Sequence, residues 1–194
     1  MAGYFEAAPG GGAAIALDAV EISILRSLAV QFLELIGPGP GEDEKPKDPL
    51  AELLSEGPSR PPADPALARL FPDAYADPDK EPDAEARALS AEFRRYTEND
   101  LRARKRADAL AVVRSLDAVD TGGDTGAVLR LDGEQCRQWL GALNDLRLTI
   151  GTRLEVSEDD DELYRLPNDD PRKPLVMAYL WLGGLQESLV ESLM

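Results

Sequence analysis

One pattern occurs twice in the chain and limits what it can fold into. "AIALDAVEISILRSLAVQFLELIG" (14–37) aligns without gaps onto "VLRLDGEQCRQWLGALNDLRLTIG" (128–151). Leu17 matches Leu131, Asp18 matches Asp132, Ile36 matches Ile150 and Gly37 matches Gly151, while Leu25/Trp139 and Phe32/Leu146 pair as large apolar positions. Each copy reads as a short strand, an acidic cap and an amphipathic helix. Asp18 with Glu21, and Asp132 with Gln135, have the spacing at which a cap carboxylate and a side chain three residues on satisfy each other's backbone N–H groups. Two such units can pair their strands and pack their helices into one core. Any two strand–cap–helix units would also show this much likeness, and both readings stand.

The remaining segments are arranged around this pair. "GYFEAAPGGGAAIAL" (3–17) suits a loose hairpin around Pro9 and a triple glycine. Residues 37–64 are rich in Gly, Pro, Asp, Glu and Lys and read as an exposed linker, with "DPLAELLSEG" (48–57) a helical turn able to dock through Leu50, Leu53 and Leu54. "DPALARLFPDAYADP" (64–78) predicts a short helix capped by Asp64 with Pro65 at its first position. Residues 83–119 are strongly helical; Thr97 and Asp100 resemble a second helix start, which predicts a bend near Tyr96–Glu98 and a buried stripe of Leu101, Leu110, Val113 and Leu116. "DTGGDTG" (120–126) reads as a turn, "AVLRL" (127–131) as a strand and 156–173 as an acidic loop. A final helix near 174–194 is expected to bury Leu175, Ala178, Leu182, Leu185, Leu189 and Leu193. The expected fold is mainly α, a compact helical domain with a small two-stranded β element. An N-terminal strand–helix unit (1–36) and the main helical part (65–194) pack as one domain across a flexible Pro/Gly/acidic linker (37–64).

Charge and residue usage exclude several kinds of chemistry. Lys and Arg number 21 against 37 Asp and Glu, a net charge of −16. Such a chain is repelled by phosphate backbones and anionic membranes, so DNA contact is expected only within a larger complex. Glu6 and Pro9 interrupt any apolar start, and the longest apolar run, near Leu175–Leu185, is too short to span a bilayer, so the expected location is the cytoplasm. The complete lack of histidine removes Ser–His and Cys–His catalysis and nearly all zinc sites, and one cysteine cannot close a disulfide within the chain. "SEDDDE" (157–162) lacks the EF-hand spacing. No convincing catalytic carboxylate pair is evident. The expectation is a non-enzyme without metal or cofactor.

Three groups of residues could carry function. Cys136 falls on one helical face with Trp139, Leu140, Leu143, Leu146, Ile150 and Leu154, in the first turn of its helix. The helix terminus would lower the thiol pKa and apolar burial would raise it, so the thiol is either a redox group or core packing. Arg147 lies inside the same apolar sector with Asn144 and Gly151 flanking it, and Asn144, Asp145 and Arg147 are a candidate structural polar core. A guanidinium there needs an anion, with Asp73, Glu92, Glu98 and Glu187 as candidates, or else it reaches water along the helix edge. Arg94, Arg95, Arg102, Lys105 and Arg106 share one third of a continuous helix, with Arg104 off the stripe. That stripe suits contact with phosphate or an acidic protein, or it is a solvated face balanced by the acidic loop.

"ARLFPDAYAD", "AEFRRYTENDLRARK", "WLGALNDLRLTIGTRL" and "YLWLGGLQESLV" resemble, in that order, the hallmark segments of the actinobacterial oxidative-stress-regulator (AosR-like) family, long catalogued as a domain of unknown function. The resemblance implies a cytoplasmic, nonenzymatic transcriptional regulator that acts with an alternative sigma factor and RNA polymerase. It also implies redox response through a Cys-x-x-x-Cys pair. This chain departs from that pattern, with Asp132 and Leu140 at the two positions four residues from Cys136. The alternative reading is a redox-independent structural or adaptor protein that forms a homodimer or binds a protein partner.

Overall fold

A computed structural model describes residues 3–38, 57–75, 77, 80–119, 127–157 and 165–194. Among these are three strands, β1 (Glu6–Ala7), β2 (Ala13–Leu17) and β3 (Ala127–Leu131), and five helices. The helices are α1 (Ala19–Ile36), α2 (Pro65–Leu70), α3 (Ala84–Asp117), α4 (Gly133–Arg153) and α5 (Lys173–Ser192). The docking turn expected at 48–57 lies outside the described residues except for Gly57, as do the turn at 120–126 and much of the acidic loop.

The repeated pattern organises the sheet. β2 and β3 pair antiparallel with Ile15 opposite Leu129, so Ala13, Ile15 and Leu17 share an inward face with Ala127, Leu129 and Leu131. β1 adds a third strand to the two expected, pairing antiparallel with β2 through a glycine turn. Gly12 in that turn has φ +99°, and a Cβ there would lie 2.2 Å from the Leu131 carbonyl oxygen, so no other residue fits. Both acidic caps form complete capping boxes. Asp18 Oδ1 accepts from the Glu21 N–H at 2.8 Å and Asp132 Oδ1 from the Gln135 N–H at 2.8 Å, each reciprocated from the partner side chain at 2.9 Å.

The helices of the two units do not pack mainly on each other. The long helix α3 lies against both α1 and α4, and α4 also packs on α2 and α5. The core joins the inward sheet face to Leu25, Ala29 and Phe32 of α1, Val112 and Leu116 of α3, Trp139, Leu143 and Leu146 of α4, and Leu182, Leu185 and Leu189 of α5. Phe5 meets the edge of Trp139 at 5.8 Å, Trp139 Nε1 donates to Ser115 Oγ at 2.9 Å, and the Phe5 N–H donates to Ser188 Oγ at 3.2 Å. The first strand is thereby tied to the last helix.

Three expectations change. α3 runs unbroken through Tyr96–Glu98, because Thr97 Oγ1 donates back to the Phe93 carbonyl and Arg94, Glu98 and Arg102 form a ladder of i,i+4 ion pairs. Leu101 is exposed and Leu110 and Val113 are half-buried; α3 buries Leu116 of the expected stripe, together with Ala109, Val112, Arg94 and Glu98. Leu193, expected in the core, caps the end of α5 and is exposed, while Val176 and Ser188 within α5 are buried.

Candidate functional site

Cys136 is fully buried in the first turn of α4. Its thiol faces the Leu131 carbonyl at 3.8 Å, and burial pushes it above its ordinary pKa. The helix terminus does not win, because the surrounding apolar groups penalise a thiolate more than the terminus stabilises it.

The basic residues of α3 do share one sector, and that sector faces inward. Arg94, only 4% exposed, donates to Glu98, to Asp73 Oδ1 at 2.8 Å and to the Phe71 carbonyl at 3.0 Å. Burial alone would lower its pKa; the two carboxylates outweigh that and raise it. Arg102 holds the other Glu98 oxygen at 2.7 Å, lies over the Phe71 ring at 4.3 Å and donates to the Ile36 carbonyl at 3.1 Å. Arg106 donates to the Gly37 carbonyl at 2.7 Å. Two guanidiniums thus serve the last carbonyl of α1 and that of its C-cap, Gly37, where a helix end has unsatisfied acceptors and partial negative charge. Lys105 reaches across to Asp145 Oδ1 at 2.6 Å. Arg95 is half-buried beside Tyr96, with its guanidinium 5.9 Å from the ring, and Arg104, the residue off the stripe, is exposed. The stripe is therefore chiefly a fastening between helices.

What α3 shows to solvent is different. Leu89, Phe93 and Tyr96 follow one another at i, i+4 and i+7 and are all exposed, Phe93 by 47% and Tyr96 by 65%. Tyr75 stands against Phe93 edge-on at 6.1 Å and is exposed as well. Glu85, Glu92 and Asp100 lie in the same angular sector and are exposed. Aromatic residues are 6% of the chain, so three exposed rings in one place are a concentration. Sequence reading missed this surface. The available signal was the 89–93–96 spacing on the side of the helix opposite Arg94 and Glu98.

The third group separates into two places. Asp145 is buried at the α3–α4 contact, where burial raises its pKa and Lys105 partly offsets the rise. Asn144 is exposed and Arg147 is half-buried; both line a cleft of about 450 Å³ with Arg69, Thr152, Glu155 and Tyr179. Arg147 Nη1 donates to the Gln186 side-chain oxygen at 2.7 Å, and its guanidinium lies 5.3 Å from the Tyr179 ring. Its Nε is buried without a hydrogen-bond partner. None of the four expected carboxylates reaches it, and Asp73 and Glu98 belong to Arg94.

Among the described residues no cluster of three metal-ligating side chains occurs, and no helix is long and apolar enough to cross a membrane. No solved structure matches the chain. The chain is 32% identical to proteins named oxidative stress regulator AosR from Mycobacterium bovis and Mycobacterium tuberculosis, over 176 residues that cover 90% of this chain and 78% of theirs. Residues 2–193 match the family model described as a domain of unknown function, DUF2017. With nearly the whole length matched in both comparisons, the chain belongs to the DUF2017 family, the same AosR-like family its four ordered segments resemble.

Proposed function

We propose that this chain is a cytoplasmic, nonenzymatic regulator of transcription linked to oxidative stress, acting through contact with an alternative sigma factor or RNA polymerase. The kinship with proteins named oxidative stress regulator supports the process. The outward face of α3 supports the means, and it is the single observation that carries the reading. Exposed Phe93, Tyr96 and Tyr75, with Leu89 beside them, supply the rigid aromatic anchors from which contact hot spots are built. Glu85, Glu92 and Asp100 around them, within a chain of net charge −16, favour a basic protein surface as the occupant and disfavour a second copy of this chain.

The test is co-elution of the purified chain with RNA polymerase holoenzyme carrying an alternative sigma factor. Phe93→Ser with Tyr96→Ser should leave the melting temperature nearly unchanged, since both rings are exposed, and weaken association at least about tenfold. Equal association by this double variant removes α3 as the contact. If neither sigma factor nor polymerase is retained by the unaltered chain, the redox-independent adaptor reading replaces this one. The buried thiol of Cys136 favours that second reading, because a sulfur held in the core is a poor sensor.

A further inference from the structure

Acidic side chains are abundant in this molecule, and several cations that leave water find them, while Lys173 bonds the Leu166 carbonyl and the Asn168 side chain. Arg94 has Asp73 and Glu98, Arg102 has Glu98, and Lys105 has Asp145. Arg147 departs from this pattern. Arg147 is half-buried; among the described residues it pairs only with the neutral Gln186 amide, and its buried Nε pairs with nothing. Arg69, at the end of α2, faces the same cleft and makes no ion pair with a described residue. Two guanidiniums that lack carboxylate partners therefore converge on one cavity.

We propose that the cleft between α2, α4 and α5 binds a small ligand bearing a carboxylate or phosphate, with Arg147 and Arg69 holding the oxyanion. The volume of about 450 Å³ suits a metabolite-sized molecule. Arg147 is already oriented by Gln186 on one side and by the Tyr179 ring beside it, so little side-chain freedom is lost on binding. Asn144 and Thr152 add polar groups at the wall, and Leu148 and Val156 add apolar ones. Glu155 is the one carboxylate among the residues lining the cleft, which leaves a single net positive charge against two arginines. That balance favours one oxyanion per ligand over a polyanion. The inference is independent of the α3 contact surface, which lies on other residues.

Inorganic phosphate and acetate test the oxyanion, and pyrophosphate and citrate test the preference for a single one. Isothermal titration calorimetry and thermal unfolding of the full chain would be run at matched ionic strength against sodium chloride, because phosphate and citrate also stabilise proteins by exclusion from their surface. A saturable heat with phosphate or acetate is expected, tighter than with pyrophosphate or citrate. Arg147→Gln should weaken it at least tenfold and Arg104→Gln, an exposed arginine elsewhere, should leave it unchanged. Arg69 is exposed, so Arg69→Gln folds whatever happens at Arg147, and a fivefold or greater loss is expected there too. No saturable heat with either single oxyanion, tighter binding of the polyanions, or equal binding by Arg69→Gln overturns the proposal.

Discussion

Arg94 and Arg147 both project from the buried side of a long helix, and their surroundings are opposite. Arg94 meets two carboxylates and a carbonyl; Arg147 meets a neutral amide and the edge of a cleft. The first arrangement joins α3 to the segment after α2 and, through Glu98 and Arg102, to the end of α1. The second joins α4 to α5 by a weaker bond and leaves the buried Nε without a partner. A charge that is fully matched inside is a fastening, and a charge that is matched only in part is available to something else.

The same substitution at the two positions should separate these roles. Arg94→Met leaves Asp73 and part of Glu98 without their cation in a buried place, and a loss of about 3–5 kcal/mol is expected from chemical denaturation. Arg147→Met removes no ion pair with a described residue and adds apolar contact to Tyr179, so a change within about 1 kcal/mol in either direction is expected. Equal losses at the two sites would mean that Arg147 is a structural fastening after all.

Gly183 gives a smaller test, from the α5 side, of how Arg147 is held. A Cβ at this position would sit 3.5–3.6 Å from Arg147 Nε, Cζ and Nη2, which is ordinary contact with a side chain that can move. Gly183→Ala lies within α5 and should raise stability by about 0.5–1 kcal/mol through the helix backbone. A loss instead would show that the Arg147 guanidinium is held rigidly against α5.

These contrasts mark where the sequence is informative. Asp18 with Glu21 and Asp132 with Gln135 announce their helices because a capping box is local, needing only residues three apart. The inward alternation of Ile15 and Leu17, and of Leu129 and Leu131, is likewise a local pattern. The shared sector of Arg94, Arg102, Lys105 and Arg106 was also legible; its direction was not. A basic stripe in an acidic chain is equally consistent with water and with carboxylates from distant segments, and the partners are Asp73 after α2, Asp145 in α4 and the carbonyls of Ile36 and Gly37 at the end of α1. The outward aromatic face of α3 escaped for the complementary reason. Once Arg94 and Glu98 turn inward, Phe93 and Tyr96 have to turn out, against the hydropathy rule that sequence reading relies on.

The contact of Lys105 with Asp145 provides the third member of the comparison, one cation near two acids. Asp108 lies one turn along α3, and a Cβ on Gly141 would come within 2.6 Å of its Oδ2, so this carboxyl is pressed against α4. Burial raises the pKa of Asp108, Arg104 and Lys105 partly offset that, and the Asp145 charge adds to the rise. Asp145 is raised by its own burial. A carboxyl whose folded pKa exceeds its unfolded value binds a proton more tightly when folded, so its ionised form costs stability above that pKa and the cost disappears as pH falls through it. Asp108→Asn should therefore raise the melting temperature by about 1–2 °C at pH 7. The gain should shrink between neutral pH and the ordinary carboxylate range, where the native acid becomes neutral too. A gain that grows on acidification would reverse the sign, and would mean that Arg104 and Lys105 make the ionised carboxylate a net stabiliser of the α3–α4 contact.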